Sequence, residues 1–197
     1  MSAAIGILAF LATLGCLGAL VRVHLQPTGY RPVSNAVSDY GVGPYEGYYR
    51  AQTAASAYAA LLVAAGIARS VHPVPQLLVY LLMTFAAARL AIPSFPTDLD
   101  RGRPTPTGRI HILLAGAAFA AIAWAAAVLP DRVHWPGLHG FLVVLGWLVV
   151  AGAVACGLAM TRLLHKPAEP YFGAIERAFY AAMLLWFFVV SAKLAFA

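Results

Sequence analysis

The sharpest candidate for chemistry in this sequence is an acid followed by a histidine at the start of an apolar run. Asp98 lies within the polar segment 95–111, FPTDLDRGRPTPTGRIH, which ends at His111. Proline, turn and helix-cap residues between them place the carboxylate just before a helix and the imidazole in its first turn. Such a pair can transfer a proton, with the carboxylate orienting the ring. The alternative is that Asp98 caps the turn and His111 hydrogen-bonds to a loop carbonyl.

A second polar segment, residues 34–50, reads SNAVSDYGVGPYEGYYR and supplies further candidates. Asp39 is its candidate catalytic residue, and Glu46 and Arg50 are its candidates for binding a substrate. Ser38 next to Asp39 is a weak candidate for a nucleophile beside an acid, because adjacent residues rarely face each other and capping is the commoner role of both.

Three further charged residues complete the candidate site. Arg89 and Arg109 can hold the phosphate or carboxylate of a lipid headgroup, because guanidinium binds both in a bidentate way. Glu176 opens the last apolar run and is a third candidate for binding substrate. Charges at the hydrocarbon boundary are costly unless paired or hydrated, which makes them functional candidates. The alternative is that they anchor helix ends and fasten helices together as ion pairs, or reach out to the interface.

Membrane helices have to position these side chains. With 62% hydrophobic and 10% charged residues among 197, the composition excludes a soluble globular domain, in which about a quarter of the residues are charged. Six apolar runs are long enough to cross a hydrocarbon core of roughly 30 Å. We predict an all-α, polytopic membrane protein with six transmembrane helices in one bundle and an interfacial polar segment after helix 1. One membrane domain covers 1–197, with spans at approximately 3–21, 48–68, 74–92, 108–129, 137–160 and 174–197.

Capping residues are expected at two places near the candidate site. Ser34 is expected to cap a short interfacial helix that runs through Tyr40, before the GVGP turn. Thr107 is expected to cap the fourth span, so that Arg109 and His111 fall in its first turn.

Six spans put loops one, three and five on one face of the membrane and both termini on the other. The basic residues expected on the polar-loop face are Arg22, Arg31, Arg50, Arg89, Arg101, Arg103, Arg109, Arg162, Lys166 and Arg177. Those expected on the opposite face are Arg69, Arg132 and Lys193. Lys and Arg are enriched in cytoplasmic loops. We therefore predict a multi-pass protein of the cell membrane with loops 1, 3 and 5 in the cytoplasm and both termini extracytoplasmic.

Other ligand classes are poorly supported by the pattern. The net charge of +6 comes from residues at helix ends, which indicates orientation in a bilayer and no nucleic-acid partner. His24, His111 and His165 share a face with the acids, but no tight metal-ligand spacing is present, so we assign no metal site. Haem is disfavoured because His111 and His139 begin their spans from opposite faces. The sequence assigns no cofactor and no oligomeric state.

The two polar segments carry a family resemblance. The combination of HLQPTGYRPVSNAVSDYGVGPYEG after the first span with FPTD and a following GRIH resembles the domain of unknown function 998 family. The matching positions are Ser38, Asp39, Gly43, Phe95, Pro96, Asp98, Gly108 and His111. The resemblance implies a six-helix membrane protein grouped with the Frag1-like membrane proteins, a family with no established general reaction. Some Frag1-like relatives are implicated in lipid-anchor remodelling, which favours a lipid substrate by analogy.

Three functional hypotheses follow from these residues. The first is a membrane-embedded enzyme that acts on a lipid or isoprenoid headgroup at the interface. Asp98, His111 and Asp39 would then be catalytic, and the substrate-binding residues would be Arg89, Arg109, Arg50, Glu46 and Glu176. The second is a small transporter or a lipid-binding scaffold without catalysis, in which the same charges line a vestibule. The third is a purely structural membrane protein. Membrane lipids are the expected partners in each case.

Overall fold

The chain folds into six long α-helices. The structure is a computed structural model that describes residues 2–99, 104–163 and 170–196. The helices are α1 Ser2–His24, α2 Glu46–Ser70, α3 Gln76–Ala91, α4 Pro106–Arg132, α5 His139–Leu163 and α6 Phe172–Phe196. All six are long and apolar enough to cross a membrane. The prediction of an all-α bundle of six membrane helices is therefore confirmed; Ala197, placed in the last predicted span, lies outside the described residues.

The helices form a ring in chain order. Each helix packs against the one before and the one after it, and α6 closes the ring against α1. The interior is filled by one cluster of buried apolar side chains, among them Phe85, Ile122 and Trp186. Large apolar side chains such as Leu113 and Trp147 are exposed on the outside. That exposure suits a hydrocarbon surrounding, which is as apolar as the side chains themselves.

The polar segment after α1 contains a short 3₁₀ helix, Val37–Gly41. A short helix was expected here, but its expected cap was wrong. Ala36 occupies the N-cap position, and its backbone N–H donates to Asp39 Oδ2 over 3.0 Å. The Asp39 carboxylate, at the third helical position, thus accepts a hydrogen bond from the N-cap backbone N–H, as the Glu of a capping box does. The Ser34 hydroxyl was expected to cap this helix and does not.

Helix α4 begins earlier than expected. Its cap is Thr105 and not Thr107, since the Thr105 Oγ1 atom accepts a hydrogen bond from Gly108 N–H over 3.0 Å. Pro106 occupies the first helical position, where its fixed φ suits a helix and its missing N–H costs nothing. The extra residues lengthen α4 by less than one turn, so His111 still lies near its start.

Candidate functional site

A cavity of about 110 Å³ opens inside one end of the bundle. A water molecule needs roughly 10–15 Å³ of such space, so the cavity has room for several waters or a small polar group. Residues from both polar segments and from α2, α3, α4, α5 and α6 line it. Its polar lining residues are Ser38, Asp39, Tyr49, Arg89, Thr97, Asp98, His111, Glu176 and Tyr180. The two polar segments, which are separated by residues 51–94, therefore share one cavity.

Arg89, near the end of α3, is the most deeply buried charge in this cavity, with 2% of its surface exposed. Its guanidinium makes three hydrogen bonds, each to a neutral group: Nε donates to Ser56 Oγ (3.0 Å), Nη2 to Gln52 Oε1 (2.7 Å) and Nη1 to Tyr180 Oη (2.9 Å). The Tyr180 ring also lies beneath the cation, 5.5 Å from Cζ to the ring centroid. Among the described residues, no carboxylate comes within 4.0 Å of the guanidinium.

The three partners of Arg89 were not recognised as site residues from the sequence. Gln52 and Ser56 lie four residues apart on α2, which places them on one face of that helix. Gln52 also donates from Nε2 to Cys16 Sγ on α1, over 3.6 Å. Polar side chains at a four-residue spacing within an apolar span were the available signal. Tyr180 gave no comparable signal, because tyrosines occur throughout the chain.

His111 is buried with one ring nitrogen committed to the backbone. Its Nδ1 atom lies 2.7 Å from the carbonyl oxygen of Phe95. A carbonyl can only accept, so Nδ1 carries the proton and donates it, and in the neutral ring Nε2 has a free lone pair. The described residues form no hydrogen bond with Nε2, and the ring lines the cavity. His111 is therefore equipped to take a proton from a ligand.

Asp98 is not bonded to His111, although the sequence predicted that it would orient the ring. Its two carboxylate oxygens accept hydrogen bonds from Thr105, from the backbone N–H (2.9 Å) and from the hydroxyl (2.8 Å). The same carboxylate packs against Gly108, where any Cβ would overlap it. Asp98 therefore stabilises the start of α4. The hydrogen bond to the His111 ring that was expected from Asp98 is made by the carbonyl oxygen of Phe95.

Two more carboxylates line the cavity. Asp39 is buried and its Oδ2 atom accepts from Ala36 N–H and from Asn35 Nδ2, each over 3.0 Å. Glu176, in the first turns of α6, accepts from the backbone N–H of Val37 through Oε2 over 2.6 Å. Its Oε1 atom forms no hydrogen bond with the described part of the chain. The cavity is therefore lined by a cation and by carboxylates.

Residues 31–39, which include the start of the polar segment 34–50, are held over the cavity by α6. The backbone N–H of Ala174 donates to Val33 O (2.9 Å), and Arg177 Nη1 donates to Asn35 O (2.8 Å). Gly173 lies so close to this segment that a Cβ there would be 2.5 Å from Pro32 O. These contacts form a cover, residues 31–39, that closes one side of the cavity.

Arg177 ties this cover to α1. Its Nε donates to His24 Nε2 over 2.7 Å, while His24 Nδ1 donates to Leu20 O over 2.6 Å. The ring of Tyr40 packs against His24, with centroids 4.9 Å apart, and Tyr30 packs against Tyr40 at 5.2 Å. Burial raises the pKa of the Tyr30 hydroxyl, and the Asp39 carboxylate raises it further. This network fastens helices and loop together. That is the role which the alternative interpretation of the charged residues gave them.

Three predicted site residues lie away from the cavity. Arg109 is exposed in the first turn of α4, on the outside of the bundle. Arg50 and Glu46 form an ion pair one turn apart on α2, with 3.4 Å between Arg50 Nη2 and Glu46 Oε1, and both side chains are about half exposed. Exposed pairs of this kind contribute little to stability.

Some charged residues assigned to this end cannot be compared with the cavity. Arg101, Arg103, His165, Lys166 and the Arg162 side chain lie outside the described residues. Within residues 2–99, 104–163 and 170–196, no group of three or more His, Cys, Asp or Glu side chains is arranged to hold a metal ion.

Comparison with known proteins gives one match. The sequence profile of a family described as "Protein of unknown function (DUF998)" matches residues 7–193. No curated protein and no solved structure matches the chain.

Proposed function

Because the chain belongs to the DUF998 family of multi-pass membrane proteins, as its two polar segments had indicated, we propose a function from the chemistry of its cavity. The protein is an enzyme of the membrane interface that binds the headgroup of a membrane lipid in this cavity and transfers a proton at that headgroup. Arg89 holds the anionic part of the headgroup, Glu176 accepts a hydrogen bond from it, and His111 is the base.

The observation that carries the proposal is a buried cation, Arg89, that has no acidic partner among the residues that the structure describes. A guanidinium has five N–H donors, and three of those of Arg89 are bonded to Ser56, Gln52 and Tyr180. Two donors remain, on a group that lines the cavity. Burying an unpaired charge is expensive, above all within a membrane. A phosphate or carboxylate in the cavity would offset that cost and accept both remaining donors.

The carboxylates of the cavity support a headgroup that also donates hydrogen bonds. Glu176 Oε1 has no partner among the described residues, and Asp39 lines the same cavity. Oppositely charged side chains around one small cavity fit a ligand that carries an anion at one end and a hydroxyl or ammonium at the other. Phosphatidylglycerol and phosphatidylethanolamine have both features, whereas phosphatidylcholine has the phosphate but no donor on its ammonium.

His111 supports chemistry in addition to binding. Its Nδ1–H is held by Phe95 O, so the ring is oriented with Nε2 available to the ligand. A positioned imidazole that accepts the proton of a headgroup hydroxyl typically contributes 10²–10⁴-fold to a rate. The proton moves to Nε2 from a hydroxyl of phosphatidylglycerol or from the ammonium of phosphatidylethanolamine, and the deprotonated oxygen or nitrogen becomes a better nucleophile.

The test combines lipid retention with turnover. The full chain is purified in mild detergent and its co-purified lipids are identified by mass spectrometry. The purified protein is then placed in phosphatidylcholine nanodiscs containing phosphatidylglycerol, phosphatidylethanolamine or neither, and new products are sought. We expect selective retention of a lipid with a phosphate and a donor, and its conversion to a product. The absence of any retained or selectively bound lipid would refute the proposal.

A second candidate, a lipid-binding scaffold or transporter, is favoured by the position of Asp98. Both oxygens of this carboxylate are bonded to Thr105, so the expected Asp98–His111 pair is not assembled. This candidate predicts that the retained lipid is never chemically changed, and that flux or retention depends on Arg89 alone.

We also propose that the cavity opens toward the cytoplasmic leaflet. The support is the excess of arginine near the polar loops over the opposite end of the bundle, as the positive-inside rule requires. Single cysteines placed at exposed positions in the loop before α2 and in the turn before α5 would react with a membrane-impermeant thiol reagent from opposite sides. If the cysteine in the loop before α2 is labelled in intact cells, that loop is extracytoplasmic and the proposed orientation is wrong.

A further inference from the structure

An apolar groove runs along the outside of the bundle between α5 and α6. It measures about 550 Å³ and is lined mostly by small side chains, which are Ala151, Gly152 and Ala155 of α5 and Ala178, Ala181 and Ala182 of α6. The groove exists because these side chains are small. The two helices touch beneath it at Gly152, where a Cβ would be 3.0 Å from Phe179 Cα, which closes the floor.

The length of the groove matches the depth of one leaflet. Along α6 it extends from Ile175 to Leu185, eleven residues that span about 15 Å at the rise of an α-helix. The hydrocarbon core is about 30 Å thick, so one leaflet is about half of that. On α6 the groove begins near the end that holds the cavity and stops near the middle of the helix, and on α5 it lies around the middle of the helix.

The groove and the cavity meet at two apolar side chains. Ile175 at the upper end of the groove packs against the small cluster that includes Phe172 and Met160. Both Phe172 and Met160 also line the cavity. Phe172 and Met160 therefore connect the apolar groove to the polar cavity, and methionine is the most adaptable of the large apolar residues.

We propose that the groove holds the acyl chain of the lipid whose headgroup occupies the cavity, and that this lipid leaves the bilayer sideways between α5 and α6. The inference rests on the proposed function and narrows its substrate to a lipid with a chain about one leaflet long. The headgroup reaches Arg89 by passing Met160 and Phe172, while the chain stays in contact with the bilayer. A water-soluble phosphate ester would leave the groove unused.

Photocrosslinking tests the groove directly. The full chain is placed in phosphatidylcholine nanodiscs containing a small fraction of phosphatidylglycerol with a diazirine in its acyl chain, and labelled peptides are mapped by mass spectrometry. Ala178→Phe fills the groove at an exposed position, and Ala181→Leu is a milder second variant. Ala120→Phe is the matched control, since Ala120 is exposed on α4 outside the groove. Thermal unfolding verifies that each variant is folded.

We expect label concentrated on the α5 and α6 peptides, reduced about tenfold by Ala178→Phe and unchanged by Ala120→Phe. Excess glycerol phosphate should compete only weakly, because it lacks the chain. Labelling spread evenly over all lipid-facing helices, or indifferent to both groove variants, would overturn the inference. If the label avoids the groove while lipid retention still depends on Arg89, the headgroup proposal stands and the groove proposal fails. If neither groove labelling nor Arg89-dependent lipid retention is observed, the headgroup proposal and the groove proposal both fail.

Discussion

Arg89 on α3 and Tyr180 on α6 are joined across the bundle by a 2.9 Å hydrogen bond and by stacking of the cation over the ring. These helices are not neighbours in the ring of six, and Arg89 spans the interior to reach both α2 and α6. The residue is thus a bridge between helices and, through its remaining donors, a ligand for an anion. The predictions below separate those two roles.

Arg89→Gln should abolish lipid binding without unfolding the protein. Glutamine retains a polar group near Gln52 and Ser56 but removes the positive charge, so retention of the anionic lipid should fall more than tenfold, as loss of a charge-assisted bond implies. Co-purified lipid per protein, measured by mass spectrometry, is the readout. Arg109→Gln is the matched control, because Arg109 is exposed outside the cavity. Equal losses in the two variants would contradict an anion site at Arg89.

Tyr180→Phe should destabilise the bundle. The change removes the acceptor of the Arg89 Nη1 bond but keeps the ring beneath the cation, and hydrogen bonds to charged groups are worth about 1.5–3 kcal/mol. Thermal or detergent-induced unfolding of the purified protein measures the loss. Tyr171→Phe, at an exposed position just before α6, should leave stability unchanged. A Tyr180→Phe protein as stable as the wild type would show that the bridge is unimportant.

Gly173→Ala should release the cover from α6. The added Cβ would meet the carbonyl oxygens of Pro32 and Asn35, which are backbone atoms with little freedom to move. We expect a loss of about 1–3 kcal/mol and faster hydrogen exchange in residues 31–39, measured by mass spectrometry. Gly157→Ala is the control, since nothing lies within 4 Å of its Cβ position, and it should be neutral or stabilising by up to about 1 kcal/mol. Unchanged exchange in the cover would refute the packing argument.

His111→Gln should remove turnover and spare binding. The glutamine amide can still donate to Phe95 O, but it cannot accept a proton as the imidazole does. We expect product formation from the retained lipid to fall about 10²–10⁴-fold, with lipid retention unchanged. His139→Gln, at an exposed position at the start of α5, serves as the control. Full turnover in His111→Gln would leave the lipid-binding scaffold as the better description.

The sequence predicted position along each helix better than direction around it. The six helices and the family are confirmed, and the polar residues at helix ends indicated which end of the bundle would hold a site. A membrane helix is apolar toward both lipid and core, however, so its pattern gives little indication of which face turns inward. Arg89 and Arg109 therefore looked equivalent, although one is buried and the other exposed.

The role of Asp98 could not be predicted for a different reason. A carboxylate near a helix start can turn toward a histidine or toward the cap, and the choice depends on where α4 begins. Because Pro106 is the first residue of α4, Thr105 is the cap of that helix. Both carboxylate oxygens of Asp98 accept hydrogen bonds from Thr105. The alternative given from the sequence, that Asp98 caps the turn and His111 bonds to a carbonyl, describes the observed contacts.

The dependence of the site on α6 bears on how the protein is made. Tyr180, which completes the bonding of Arg89, and Glu176 and Gly173, which receive the cover, all belong to the sixth helix. During synthesis the first five spans enter the membrane before this helix is available. Until it inserts, Arg89 lacks one of its three hydrogen-bond partners and the polar loop lacks its contacts with α6, so the site is completed only when the last span enters the membrane.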